Sequence, residues 1–108
     1  MKLVITLLAA AAAVSLAAPT HAADAAAAEA LAKASGCLAC HTVDKKLVGP
    51  SYREIANRYR QDKGAAAKLA QKVKTGGKGV WGDIPMPPNG HVKGADIQNI
   101  VQWILTVK

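Results

Sequence analysis

An all-α domain is what this sequence predicts, and two patterns and one absence carry that expectation. Ile97, Ile100, Val101, Ile104 and Leu105 recur at i, i+3, i+4, i+7 and i+8, which is one face of a helix. Tyr52, Ile55, Ala56 and Tyr59 repeat the same period over a shorter stretch. Nowhere do apolar and polar residues alternate for long enough to make a strand. About four helices are expected, with no internal repeat and no low-complexity linker beyond one alanine run.

The chain opens on Met1 and Lys2, then an apolar run from Leu3 to Ala18, then Pro19, Thr20, His21 and Ala22. A positive start, an apolar centre and small residues before a cut make a secretory leader. Thr20 and Ala22 supply the small side chains at the third and first positions before cleavage. Residues 1–22 are therefore expected to be removed, leaving 23–108 as one domain. The apolar run of 16 residues falls short of the roughly 20 that a bilayer span needs. An exported protein with no membrane span after processing is expected, and an uncleaved amino-terminal anchor is the alternative.

Asp24 precedes the alanine-rich run to Ala34, in which Ala27, Ala28, Leu31 and Ala34 stand at helical spacing; Asp24 is the expected cap and Gly36 the stop. A polar connection follows from Thr42 to Gly49. Pro50 leads into Ser51, Tyr52, Arg53 and Glu54, the form of a capping box that starts the second helix. Gly64 interrupts it. The third helix runs from about Ala65 to Thr75, with Ala66, Leu69, Ala70 and Val73 inward and Lys68, Lys72 and Lys74 mostly outward. Gly76 and Gly77 end it. A long loop rich in glycine and proline reaches to Gly94 and needs a reason to be ordered.

The 86 residues left after the leader contain no Phe and four aromatics, Tyr52, Tyr59, Trp81 and Trp103. So small a core commonly needs a disulfide, a metal or a cofactor to hold it. Charge also survives processing, because the 14 Lys and Arg against 7 Asp and Glu lose only Lys2. Nucleic acid, anionic lipid and acidic protein surfaces all attract such a chain. Export disfavours nucleic acid, so an acidic docking patch on another protein is the partner surface expected.

Cys37 and Cys40, the only cysteines, stand three positions apart and His41 follows at once. C-x-x-C-H is the signature of covalent c-type haem attachment: two thiols each reach one vinyl group of the same porphyrin while the next residue turns its imidazole under the iron. Cys37 and Cys40 are then thioether anchors and His41 an axial iron ligand, with one haem c per chain. A zinc site would lack ligands nearby. A redox-active dithiol would want a βαβ context, which the pattern does not contain.

Two residues beyond His41 are candidates for the second iron ligand, Met86 and His91. Met86 is caged in Pro85, Met86, Pro87 and Pro88, whose fixed φ angles stiffen the loop and reduce the entropy that a weak thioether ligand loses on binding. His91, beside Asn89 and Gly90, reads as an exposed polar side chain. Asn89 is near enough to bond the Met86 sulfur or to shape the loop, or it acts as an ordinary turn residue. Trp81 offers its indole N–H to a haem propionate or simply packs in the core. The Pro50 carbonyl is placed to accept from the other nitrogen of His41, or Pro50 merely starts a helix.

Cys37-Leu38-Ala39-Cys40-His41, Val48-Gly49-Pro50-Ser51-Tyr52, Gly79-Val80-Trp81-Gly82 and Ile84-Pro85-Met86-Pro87-Pro88-Asn89, in this order and spacing, resemble small bacterial class I cytochromes c of the cytochrome c-551 (c8) type. The resemblance covers essentially all of residues 23–108. It implies an all-α class I cytochrome c fold, about four helices around one covalently bound haem, with the first and last helices crossing beside it. It further implies that Met86 is the distal ligand, that Pro50 supports His41, that Asn89 supports Met86 and that Trp81 meets a propionate. Lys72 stands where such proteins often have an Arg facing a propionate, so that bidentate contact is not carried over. Lys93 stands where a Ser-like cap often opens the last helix.

With both axial positions filled, no site on iron is left for oxygen, peroxide or substrate. The expected function is therefore electron transfer and not catalysis. The resemblance implies a monomeric periplasmic carrier in respiration or denitrification. A quinol-oxidising complex would be its donor, and a nitrite reductase, terminal oxidase or peroxidase its acceptor. Lys45, Lys46, Lys72, Lys74, Lys78 and Lys93 flank the loops expected around the haem edge and are placed to steer docking. The competing readings are a haem peroxidase or gas sensor with a labile Met86, and a domain permanently docked in a respiratory complex.

Overall fold

The computed structural model describes residues 9–15 and 21–108. The leader expected over 1–22 rests largely on residues 1–8 and 16–20, which lie outside the described residues. Among the described residues there are four α-helices and no extended strand: α1 (His21–Ala34), α2 (Tyr52–Tyr59), α3 (Ala65–Thr75) and α4 (Gly94–Ile104), with a short 3-10 turn at Cys37–Ala39. None is long and apolar enough to cross a membrane.

α4 is the common partner, packing against α1, α2 and α3. Its expected stripe is its buried face: Ile97, Ile100, Val101 and Ile104 are all buried. Leu105 is half-buried and lies just past the last turn. No side-chain cap opens α4 at Lys93, in line with the absence of a Ser-like residue there.

α1 departs from the expected start. It begins at His21, three residues ahead of Asp24. Its buried positions are Ala28 and Ala32, whereas Ala27 and Ala34 are exposed. A surface built largely of alanine carries little phase of its own, so the partner decides which stripe is covered. Small side chains at Ala28 and Ala32 admit α4 closely; Ala32, Tyr52, Ile55, Ile100 and Ile104 form one core cluster.

α2 starts as its sequence requires. The Ser51 hydroxyl accepts from Glu54 N–H at 3.1 Å and the Glu54 carboxylate accepts from Ser51 N–H at 2.8 Å, a complete capping box that stabilises the helix by about 1 kcal/mol. Tyr52, Ile55 and Ala56 are buried beneath it. On the outer side, Arg53 donates to Lys108 O at 2.6 Å and pairs with Asp44, and Arg60 donates to Val107 O at 2.8 Å. These bonds tie α2 to the residues after α4.

α3 buries Ala65 and half-buries Leu69, Ala70 and Val73, but Ala66 is exposed and Lys72 is half-buried. Lys72 is half-buried because it lines a cavity. Before α3, Asp62 accepts from Gly64 N–H and pairs with Lys68, each at 2.8 Å. The Lys68 hydrogen bond is the main reason the Asp62 carboxyl lies below its ordinary range.

Tyr52 is 1% exposed, and its hydroxyl is buried with no hydrogen-bond partner among the described residues. Burial first, then the charges of Cys37 and Glu29, pushes this phenol well above the ordinary range. A buried hydroxyl without a partner forfeits its hydration for nothing. Tyr52→Phe is therefore expected to stabilise the protein by about 1 kcal/mol, read as a higher denaturant midpoint. A lower midpoint would mean that the hydroxyl has a partner in the loaded protein.

Candidate haem site

Between α2, α3 and the loop 76–93 lies a cavity of about 400 Å³. Its walls are largely apolar, with Val48, Ile55, Leu69, Val73, Val80 and Ile84 among them. Cys40, His41, Pro50, Trp81 and Met86 all line it. Five of the sequence-selected residues thus meet around one space. Cys37 does not line it; this side chain packs against the core cluster one turn away.

Geometry near the motif follows from the chain reversal at Gly36, where φ is +84°. The short turn Cys37–Ala39 is closed by His41 N–H donating to Cys37 O at 3.0 Å. No disulfide joins Cys37 and Cys40, so both sulfurs are available to a haem. Before attachment, burial pushes the Cys37 thiol up.

His41 is held by its ring. Nδ1 lies 2.7 Å from Pro50 O. A carbonyl can only accept, so Nδ1 carries the proton and Nε2 keeps the lone pair that iron requires. The Tyr52 ring stacks on His41 with centroids 5.6 Å apart and 21° between the planes. Gly49 also approaches the ring: an added Cβ there would fall 2.6 Å from His41 Cε1. Only a residue without a side chain lets the imidazole lie flat against this backbone.

Met86 is placed by its backbone. Its N–H donates to Gly77 O at 2.8 Å and its carbonyl accepts from Gly77 N–H at 3.0 Å. Gly76 turns the chain out of α3 with φ of +69°, and an added Cβ there would stand 2.4 Å from Met86 O. His91 is exposed and away from the cavity.

Asn89 serves the loop through α3. Its N–H donates to Val73 O at 3.0 Å, and its side-chain amide donates to Val73 O at 3.2 Å and Pro87 O at 3.1 Å. Trp81 sits at the cavity rim, 40% exposed, under the Arg58 guanidinium at 4.6 Å from its ring centroid. Arg58 was not among the residues singled out in the sequence. An exposed Arg at the end of a short helix carries no local signal of a contact 23 residues away.

The residues fit a haem. An apolar slot carries one imidazole with its lone pair fixed by a carbonyl, one thioether on a stiff loop, and a thiol of the C-x-x-C-H motif beside it. Lys46, Lys72 and Lys78 add positive charge to the lining, which suits the carboxylates of a porphyrin.

Comparison with known proteins agrees. The family model described as cytochrome c matches residues 25–108. Cytochrome c-551 of Allochromatium vinosum is 52% identical over 69% of this chain and 80% of its own length. Cytochrome c-551 of Pseudomonas aeruginosa is 48% identical over 74% of this chain and 76% of its own. The crystal structure of cytochrome c552 from Nitrosomonas europaea superposes with a TM-score of 0.72 at 50% identity, covering 74% of this chain and 99% of the other. The chain belongs to the cytochrome c family, with a class I fold of the cytochrome c-551 type and covalently bound haem c, and is an electron-transfer protein, not an enzyme.

Proposed function

We propose that this cytochrome is a periplasmic carrier that shuttles single electrons between respiratory or denitrification complexes, with His41 and Met86 as axial iron ligands and Cys37 and Cys40 as thioether anchors. The observation that carries this reading is that His41, its Nδ1 committed to Pro50 O, and Met86, its backbone committed to Gly77, line the same cavity.

Bound haem supplies a one-electron ferric/ferrous couple. His41 offers Nε2 in a fixed tautomer, because the Pro50 carbonyl holds the proton on Nδ1. Met86 offers a soft thioether, which favours the ferrous state more than a second imidazole would and so raises the potential. Val48, Ile55, Leu69 and Val73 exclude water from the same space, which disfavours the more highly charged ferric state further. Trp81 at the rim is the residue for a propionate, and Asn89 holds the Met86 loop to α3. Two filled axial positions leave none for catalysis or gas binding. The reduced protein is therefore expected not to bind carbon monoxide at neutral pH. Ready binding would support a peroxidase or gas sensor instead.

Export follows from the leader 1–22, cut after Ala22. Lys46, Lys72 and Lys78 at the cavity and the exposed Lys45, Lys74 and Lys93 steer a monomeric carrier to acidic patches. A quinol-oxidising complex is the donor and a nitrite reductase, terminal oxidase or peroxidase the acceptor. Electron-transfer rates with an acidic partner are expected to fall severalfold as ionic strength rises from about 0.01 M to about 0.15 M. Rates independent of salt would contradict steering.

A further inference from the structure

We propose that Arg58 is a positioning residue, a latch that holds the arm formed by residues 78–85 across the mouth of the haem cavity and so controls access of outside ligands to the iron. The inference rests on the assignment of Met86 as the distal ligand. The arm rises from the paired backbones of Gly77 and Met86. Within it, Gly79 N–H donates to Gly82 O at 2.8 Å. Among the described residues, one hydrogen bond joins the arm to the rest of the protein: Arg58 Nη1 donates to Val80 O at 3.0 Å. The same guanidinium lies over Trp81, 4.6 Å from its centroid.

The arm has little else to hold it. Trp81 is 40% and Ile84 66% exposed. Gly79 and Gly82 have φ of +103° and +116°, conformations that glycine adopts at an entropic cost. A segment with few buried contacts and few bonds outward opens first. Its base is Met86 itself, so an arm that lifts loosens the backbone that presents the thioether. Arg58 stands at the far end, in the last turn of α2, and spans the gap to the arm. A planar guanidinium can lie on a ring and donate in its own plane at once, which an ammonium cannot.

The test uses the haem-loaded protein with Arg58→Ala and Arg58→Lys. Two rates are measured: amide hydrogen exchange at Gly79 and Met86, whose N–H groups donate to Gly82 O within the arm and to Gly77 O at its base, and association of imidazole with the ferric form. Arg58→Ala is expected to speed both about tenfold, the factor that one exposed cation–π contact and one hydrogen bond together supply, with exchange at Ile100 and Val101 unchanged. Arg58→Lys is expected to fall between, because it keeps the cation but loses the fork. Unchanged arm exchange, or equal acceleration in the arm and α4, overturns the latch. Faster arm exchange with an unchanged imidazole rate overturns the control of access. A ferric wild-type protein lacking the far-red sulfur-to-iron band overturns the Met86 assignment and the control of access with it, whereas unchanged arm exchange beside an intact band overturns the latch alone.

Discussion

Met86→Ala is expected to convert this carrier into a protein with an open iron site. Removing the thioether takes away the proposed sixth ligand while leaving His41 fixed by Pro50 O at 2.7 Å. Three changes should appear together. The reduced variant should bind carbon monoxide, since alanine cannot compete for the iron. The reduction potential should fall by on the order of 0.1 V or more, because water or hydroxide in place of sulfur stabilises the ferric state. The loop 76–93 should lose the contact that orders it, so its amides should exchange faster than those of α4. The Gly77–Met86 backbone pair does not depend on the side chain, so the base of the loop should stay in register and the protein should still fold. A variant that keeps the wild-type potential and refuses carbon monoxide would show that another group fills the sixth position.

Gly76→Ala is expected to be the most damaging single-methyl change at the site. Two penalties combine there. The φ of +69° lies in the left-handed region, where a side chain costs about 1 kcal/mol or more. The added Cβ would also meet Met86 O at 2.4 Å, with Pro88 N at 2.8 Å and Pro87 C at 2.9 Å. All three are backbone atoms in a proline-stiffened segment, so none can swing aside as a side-chain tip would. A loss of about 3 kcal/mol in unfolding free energy is expected. The far-red band should weaken in the same variant, because relief of the clash moves Met86. Gly79→Ala is the matched control: φ is +103°, but no atom lies within 4 Å of an added Cβ. It should pay only the conformational penalty and keep the band. Equal losses in the two variants would show that backbone conformation alone, not the approach to Met86, makes Gly76 necessary.

Much of the proposed site was legible because its parts are local in sequence. Cys37, Cys40 and His41 fall within one turn, and the proline cage surrounds Met86 directly. The capping box of Ser51 and Glu54 and the stripe of α4 are likewise rules about neighbours at fixed spacing. What the sequence left unread depends on contacts between distant segments. The buried face of α1 was left open, because a surface made largely of alanine leaves the phase to α4. Lys72 was read as outward-facing because a helical wheel does not know that a cavity borders that side. Asn89 was weighed as a partner of the Met86 sulfur, a shaper of the loop or a turn residue; its amide reaches Pro87 O within the loop, and the further reach to Val73 O on α3 was not legible. Arg58 was invisible for the same reason, being joined to Val80 and Trp81 only once α2 and the loop are folded together.

The partly exposed Trp81 fits the same picture. Its indole was weighed as core packing or as a propionate donor, and in the fold it stands at the rim, with a cation on its face. A rim position is compatible with a donor to a haem carboxylate and disfavours simple core packing.

The central claim is that His41 and Met86 close both axial positions of one haem iron. The most direct measurement is the absorption spectrum of the purified ferric protein at neutral pH, beside that of Met86→Ala. The wild type is expected to show a weak far-red sulfur-to-iron band and the variant none. A wild-type spectrum without that band, or a variant that retains it, would contradict the account.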